Sequence, residues 1–313
     1  MSKIITVGLC PCWDIICEGR NLSWQDHQNI DRQTRRPAGK ALNISRALAW
    51  MHTPNMAAGL WGKADHAEML REVRPLQKYL KVRTTAVPGS TRRNVTVIDT
   101  KNRREMHLRS PSLLASDAAL KILRADLNRI VKPDSLCVFA GSLPSEPYLA
   151  SVLSLVNACR DRGAKIILDT SGKPLRTIVA SGGLYLWKPN VAELQELAGN
   201  SIRDTPAALI KAGRTLLDQA EMILISRGAR GAILVTKNGI WQANRTSRRR
   251  VVSTVGCGDT LLAGFLQGLW QGGNRRSALQ QAIQAAAARA YRLDRSLTWN
   301  QVRREIRVHI QTH

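Results

Sequence analysis

Short apolar runs and longer stretches of helical spacing follow one another along most of the chain. The apolar runs predict strands at 3–9, 56–60, 135–140, 165–169, 184–188 and 221–226. Apolar residues three and four apart predict helices at 41–50, 64–80, 115–130, 146–162, 192–198, 205–219, 260–271, 277–291 and 300–310. Strand-then-helix units repeated this often predict an α/β fold with a mainly parallel central sheet and helices on both faces.

Two hairpins interrupt this rhythm. Residues 92–99 and 105–108 flank a Lys101-Asn102 turn, and 232–236 and 240–243 flank Asn238-Gly239. The first hairpin does not fit the parallel order, so we expect it to lie outside the sheet as a small β lid. We place the lid segments at approximately 12–36 and 86–110, where 19–36 is polar and lacks a helical period. No repeat or linker divides the chain, which predicts a single domain over 1–313.

Composition excludes several classes of protein. Hydrophobic residues make up 44% of the 313 residues, enough for a sizeable core, so general disorder is excluded. No apolar run approaches the roughly 18 residues of a membrane-spanning helix. Six cysteines include no CxxC pair and no zinc-type spacing. We therefore expect a reduced, cytoplasmic protein that does not bind membranes.

The charge is strongly positive. Forty-seven basic residues against 23 acidic ones give +24, which attracts nucleic acid, acidic surfaces or phosphorylated metabolites. The basic residues are spread in small clusters, and four Tyr and two Phe provide few stacking platforms. We therefore do not expect a nucleic-acid partner. A catalytically weak fold that binds polyanions or regulates stays open as an alternative.

The sharpest chemical pattern is Gly256-Cys257-Gly258-Asp259, between a β-branched run at 251–255, which predicts a strand, and the helix at 260–271. Glycines at a helix start bring backbone N–H groups close to an anion, and the helix dipole favours negative charge there. Asp259 beside such a site suits a general base for a hydroxyl that attacks ATP. A turn with an Asp helix cap is the alternative for the same residues.

The segment 254–260 resembles the second signature of the ribokinase-like phosphofructokinase B family of carbohydrate kinases. Further matches fall in family order: Lys188-Pro189-Asn190-Val191-Ala192-Glu193, the loop 225–232, Ala140-Gly141-Ser142-Leu143-Pro144 and Asp169-Thr170-Ser171-Gly172. The resemblance covers nearly the whole chain. It implies a ribokinase-like fold, ATP and Mg²⁺ as cofactors, and dimerisation through the lid.

The N-terminal half is similar to the hexose-phosphate branch of that family. The matching segments are Leu9-Cys10-Pro11-Cys12-Trp13-Asp14, 38–43 and Thr91-Arg92-Arg93-Asn94-Val95. An Arg on the lid suits an acceptor that already carries a phosphate, because a guanidinium binds phosphate through two N–H groups. The branch implies a ketohexose phosphate acceptor, first of all fructose 1-phosphate, converted to fructose 1,6-bisphosphate. Tagatose 6-phosphate and fructose 6-phosphate remain alternatives.

The resemblance also implies a role for each matching residue. On the acceptor side, the sugar hydroxyls and the phosphate would contact Asp14, Gly39, Lys40, Asn43, Arg92, Asn94 and Ser142. On the ATP side, the nucleotide phosphates and the nucleotide loop would involve Lys188, Asn190, Glu193, Ser226, Gly228, Gly231 and Thr254, with Glu193 reaching Mg²⁺ through water. Gly256, Cys257 and Gly258 would form the anion hole, and Asp259 would be the catalytic base.

The chain departs from the family pattern at several of these segments. Cys10 stands where the family has Asn, Ala41 where it has Gly, and Cys257 where it has Ala. The backbone N–H of Cys257 is unaffected by the exchange, so anion binding should survive. A helix start that lowered its pKa would make the Cys257 thiol reactive. Arg227 and Arg230 add two cations to the nucleotide loop.

Overall fold

The computed structural model describes residues 3–23, 27–171, 174–199, 201–246 and 249–313. Within these residues the strands are β1 (Ile4–Gly8), β2 (Cys12–Gly19), β3 (Arg32–Ala38), β4 (Asn55–Gly62), β5 (Leu80–Val87), β6 (Arg93–Asp99), β7 (Arg104–Arg109), β8 (Leu136–Ser142), β9 (Lys165–Ser171), β10 (Leu186–Trp187), β11 (Met222–Ser226), β12 (Ala232–Thr236), β13 (Gly239–Arg245) and β14 (Val308–Thr312). The α-helices are α1 (Lys40–Trp50), α2 (His66–Val73), α3 (Asp117–Ile130), α4 (Leu149–Asp161), α5 (Pro174–Ala180), α6 (Val191–Ala198), α7 (Pro206–Arg214), α8 (Cys257–Trp270), α9 (Arg275–Ala290) and α10 (Trp299–Glu305). Each of these helices is too short or too polar to cross a membrane.

One large sheet organises the fold, in the order β14-β13-β12-β11-β10-β9-β8-β1-β4-β5. From β5 to β11 all neighbours are parallel, and β12, β13 and β14 extend the sheet antiparallel. Successive strand residues point to opposite faces. Ile5 and Val7 therefore enter the core beneath α3 to α7, and Ile4 enters the core beneath α1, α8, α9 and α10. The predicted α/β class, with helices on both faces, is confirmed.

The lid is a separate four-stranded sheet in the order β3-β2-β6-β7. β2 and β6 run parallel, and the hairpin β6–β7 lies where the sequence predicts it. Trp13 attaches the lid to the body, because its fully buried ring lies edge-on to Trp61 at 5.8 Å and its indole N–H donates to Asp65 Oδ2 at 2.7 Å. The lid therefore approaches the body beside the ends of β1 and β4.

Several of the predicted elements differ from the observed ones. The helix predicted at 64–80 ends at Val73, followed by a 3₁₀ turn at 74–76 and by β5 from Leu80. Pro75 cannot continue the helix, because it lacks an N–H and its ring clashes with the preceding turn. The helix predicted at 300–310 ends at Glu305, and the remaining residues form β14 along the edge of β13.

The prediction of a strand at 251–255 is wrong. These residues form a loop in which Val252 and Val255 are about half exposed, and the N–H groups of Val252 and Ser253 donate to the carbonyl of Ala290 at the end of α9. No strand of the described residues pairs with them. β3 and α5 are elements that the periodicity did not predict; β3 forms because β2 offers it a partner.

Candidate active site

The predicted site residues gather at the carboxyl ends of the parallel strands, beneath the lid. Ser142 and Ser226 end β8 and β11, Asp169 lies near the end of β9, and Lys188 follows β10. The first turns of α1, α6 and α8 begin at the same edge. Ligands of open α/β sheets bind outside the carboxyl ends of the strands. The topology therefore brings acceptor-side and nucleotide-side residues to one place.

Asp259 lies buried in the first turn of α8, and its surroundings disfavour its charge. Asn43 Nδ2 donates to Asp259 Oδ2 at 2.9 Å. Burial, together with the charge of Asp169, raises the pKa of Asp259 to about 6, against the opposing effects of Asn43, Lys40 and Lys188. The carboxylate does not cap α8, since Gly256 is the N-cap and makes no side-chain cap bond. The helix-cap alternative for Asp259 is therefore excluded.

The anion-hole segment has the backbone geometry that its glycines suggest. Gly256 has φ +78°, in the left-handed region where a side chain is strained, and the carbonyl of Gly256 accepts from the backbone N–H and the hydroxyl of Thr260. A Cβ on Gly258 would lie 3.8 Å from Lys188 Nζ. The first turn of α8 thus begins beside Lys188, and the N–H of Cys257 donates to the carbonyl of Thr254 at 3.3 Å. A helix start beside an ammonium group is a setting suited to a transferring phosphoryl group.

Two lysines converge on Asp169, whose side chain is fully buried. Lys40 Nζ lies 3.0 Å from Asp169 Oδ1, and Lys188 Nζ lies 3.2 Å from the same oxygen. Burial disfavours the charged form of Lys40, but the negative charges of Asp169 and Glu193 outweigh the effect of burial. The pKa of Lys40 is therefore raised. The site therefore holds ammonium groups ready for phosphate oxygens.

Asn190 and Glu193 form a capping box at the start of α6. Asn190 Oδ1 accepts from the N–H of Glu193 at 2.8 Å, and Glu193 Oε2 accepts from the N–H of Asn190 at 2.9 Å. Glu193 Oε1 lies 4.0 Å from Lys40 Nζ and is outside the cap. Mg²⁺ in phosphoryl-transfer sites is held by one or two carboxylates, water and substrate phosphates. Glu193 fits that requirement, although no cluster of three or more metal-binding side chains occurs among the described residues.

On the acceptor side, Asp14 lies on β2 opposite Arg36 of β3 and Asn94 of β6. Arg36 Nη2 is 3.7 Å from Asp14 Oδ2, and the side-chain oxygen of Asn94 is buried with no hydrogen-bond partner among the residues that the structure describes. Gly39 has φ +115°, and an added Cβ would lie 3.4 Å from Pro11 Cα. Asp14, Asn94 and Gly39 thus meet where the lid joins α1.

Arg92 reaches across the same junction. Its guanidinium donates to the carbonyls of Cys10 and Ser110 at 3.0 Å and to that of Pro11 at 3.3 Å. Arg93 is exposed. A guanidinium has five N–H donors, so two remain on Arg92 for a phosphate. The structure thereby distinguishes Arg92 from the adjacent Arg93, and the three carbonyl contacts of Arg92 fasten the lid in a way that the sequence did not predict.

The nucleotide-side residues line a cavity of about 300 Å³. Predicted residues on its wall are Asn190, Ser226, Gly228, Gly231, Thr254, Cys257 and Gly258. The opposite wall is apolar and comes from α8 and α9: Leu261, Ile283, Ala286, Ala287 and Ala290. The sequence motifs did not point to these residues. The small side chains of the alanine-rich run in α9 leave room for a flat nucleotide base to approach the helix closely. The cavity combines an apolar face with the anion hole.

The departures in this region leave the cavity intact. Arg227 Nε lies 2.7 Å from Asp204 Oδ1, and Arg230 pairs with the other oxygen of Asp204, so the two added cations share one carboxylate, which offsets one of their two charges. Burial raises the pKa of the Cys257 thiol to about 11. The helix start does not activate this cysteine.

Comparison with known proteins identifies the family of the chain. The family model for pfkB family carbohydrate kinases matches residues 1–294, and the chain belongs to that family. It is therefore a phosphotransferase with an alcohol group as acceptor, of the sugar-phosphate kinase kind.

The chain is also similar to individual proteins of this class. The chain is 29% identical to a 1-phosphofructokinase of Bacillus subtilis (strain 168) over 289 residues, 92% of each chain. It is 28% identical over 256 residues to a 1-phosphofructokinase of Borreliella burgdorferi, 80% of each chain. Among solved structures, phosphofructokinase-2 from Escherichia coli in complex with fructose-6-phosphate superposes with a TM-score of 0.88 at 21% identity, covering 96% of this chain and 99% of that one.

Proposed function

We propose that this chain transfers the γ-phosphoryl group of ATP to a primary hydroxyl of fructose 1-phosphate, giving fructose 1,6-bisphosphate. The observation that carries the proposal is the position of Asp259, in the first turn of α8 beside the 256–258 amides, with a pKa of about 6. A base with that pKa is ionised at pH 7 and basic enough to accept a hydroxyl proton as it is released.

Each remaining part of the site supplies one step. The acceptor lies between Asp14, Asn43 and the lid, with its phosphate toward Arg92, Asn94 and Lys40, and Ser142 at the rim. Lys188 and the 256–258 amides hold the phosphoryl group as it moves, and the lid excludes water. Mg²⁺ would be held through water by Glu193 and would neutralise charge on the nucleotide phosphates.

The choice of fructose 1-phosphate is supported by the relatives, which are named 1-phosphofructokinases at 24–29% identity. The fold neighbour in complex with fructose-6-phosphate keeps that sugar phosphate as a second candidate, with tagatose 6-phosphate beside it. Assembly through the lid and a cytoplasmic location stay predictions.

A panel of acceptors tests the proposal. ATP-to-ADP turnover is measured with Mg²⁺ and fructose 1-phosphate, fructose 6-phosphate, tagatose 6-phosphate, fructose, ribose or adenosine. We expect the highest kcat/KM with fructose 1-phosphate. Turnover confined to neutral acceptors would overturn the assignment of a phosphorylated substrate. The absence of turnover with every acceptor would favour the polyanion-binding alternative. Retention on heparin and the salt dependence of DNA binding would then test that alternative.

The Asp259→Asn variant tests the base. It keeps the size of the side chain and removes its basicity, so we expect kcat to fall by a factor of about 10²–10⁴, with ATP affinity largely retained. Asp126→Asn is the matched control. Asp126 lies on α3, outside the site, and accepts hydrogen bonds from Thr85 and Arg129. Near-normal turnover in Asp259→Asn would remove Asp259 as the base.

A further inference from the structure

Asp169 near the end of β9 has no role in the steps above, although it lies at their centre. Its side chain is fully buried, and its Oδ1 is within 3.2 Å of the ammonium groups of Lys40 and Lys188. Because both ammonium groups meet one oxygen, they lie within about 6 Å of each other. One lysine comes from the start of α1, on the acceptor side, and the other from the loop after β10, on the nucleotide side.

The two lysines depend on Asp169 to different degrees. The side chain of Lys188 is 5% exposed and that of Lys40 is 32% exposed. Asp169 is the carboxylate within ion-pair distance of Lys188 among the described residues, whereas Lys40 also has Glu193 at 4.0 Å. Within the part of the chain that the structure describes, Asp169 is thus the ion-pair partner of Lys188, whereas Lys40 pairs with Asp169 and also faces Glu193.

We propose that Asp169 is a positioning residue that links the two substrate sites by holding Lys40 toward the acceptor and Lys188 toward the nucleotide through a single carboxylate oxygen. The inference rests on the proposed function, since it assigns one lysine to each substrate. Loss of the carboxylate releases both ammonium groups at once. The affinities for ATP and for the sugar phosphate then fall together, although Asp169 contacts neither substrate.

Asp169 also acts on Asp259 through charge. The groups facing Asp259 are Asn43 and Lys40 from α1, Asp169 from β9 and Lys188 after β10. Among them Asp169 carries the like charge, so its removal lowers the pKa of Asp259. Damage to folding alone would reduce the active fraction and leave that pKa unchanged. The pH dependence of kcat/KM thus separates positioning from structural support.

The experiment compares Asp169→Asn with the wild type and with Asp126→Asn. Titration calorimetry gives the Kd for ATP, and steady-state kinetics give the two KM values and the acid limb of kcat/KM. In Asp169→Asn we expect the ATP Kd and the acceptor KM each to rise about tenfold and the acid limb to move to lower pH. Asp126→Asn should match the wild type in all three. An unmoved acid limb, or a rise in only one of the two constants, overturns the proposal.

Lys40→Met tests the same link from the exposed side if Asp169→Asn does not fold. Without Lys40, Asp169 Oδ1 contacts Lys188 alone and loses the contact that fixes it from α1. Lys188 is then held less firmly toward the nucleotide, so the ATP Kd rises although the lost lysine faces the acceptor. An unchanged ATP Kd overturns the link. The proposed function fails separately: it fails if the wild type binds no ATP or phosphorylates none of the sugar phosphates.

Discussion

Replacing Asn43 by Ala should shift the pH dependence of turnover in a direction opposite to Asp169→Asn. Asn43 Nδ2 donates to Asp259 Oδ2 at 2.9 Å, and this bond stabilises the ionised carboxylate. A hydrogen bond to a charged group is worth about 1.5–3 kcal/mol, and one pKa unit corresponds to about 1.4 kcal/mol. The pKa of Asp259 should therefore rise from about 6 by about one to two units.

The consequence for activity depends on pH. At pH 7 the ionised fraction of Asp259 falls from about 0.9 to about 0.1–0.5, and at pH 9 it is about 0.9 or more in both proteins. The loss of kcat/KM should thus be largest below pH 7 and should shrink steadily toward pH 9. Any part of the loss that persists at pH 9 measures the contact of Asn43 with the sugar.

The assay is a profile of kcat/KM from pH 5 to pH 9 with fructose 1-phosphate and saturating ATP. Ser45→Ala is the control on the same helix, because the Ser45 hydroxyl bonds Thr6 at 2.8 Å in the core and does not contact Asp259. Its acid limb should coincide with that of the wild type. An acid limb that stays near pH 6 in Asn43→Ala would refute the reasoning that this bond tunes the base.

Two further predictions concern the lid and the anion hole. Arg92→Ala should raise KM for the sugar phosphate and lower the melting temperature, since three carbonyls lose a donor; exposed Arg93→Ala should do neither, and equal effects of the two would contradict the assignment. Iodoacetamide should label Cys257 slowly at pH 7.5, at a rate that grows about tenfold per pH unit, because burial raises the pKa of its thiol to about 11. Mass spectrometry follows the labelling, and a rate that levels off near pH 8 would show an activated thiol instead.

Local patterns were enough to predict much of the fold. Apolar runs of strand length and helical spacing identify β1, β8, β9 and β11 and most of the helices, because burial on both faces of a parallel sheet requires those patterns. Local patterns do not predict an element whose formation depends on pairing or packing with another part of the chain. β3 is polar and forms beside β2, and residues 251–255 are β-branched but find no strand to pair with.

Motif chemistry likewise predicted which residues gather but not how they contact one another. Asp259, Asn43, Lys40 and Lys188 were each assigned a role separately, from segments far apart in the chain. Their mutual distances, and the pKa of Asp259, follow from burial and from charges that only the folded chain brings together. Asp169 shows the difference most clearly, since its sequence motif carries no hint that one oxygen meets two lysines.

By itself, the sequence determined the fold class, the lid and the kinase chemistry, because periodicity and short motifs are local properties of the chain. Tertiary structure decided the rest. It placed the guanidinium of Arg92 on three carbonyls and left the exposed Arg93 in solvent. It also built the apolar wall of the nucleotide cavity from α9 and buried Asp169 between two lysines. Several of these contacts join residues far apart in the chain, 82 positions for Arg92 with Cys10 and 129 for Lys40 with Asp169. Their energies depend on burial, which no local pattern records.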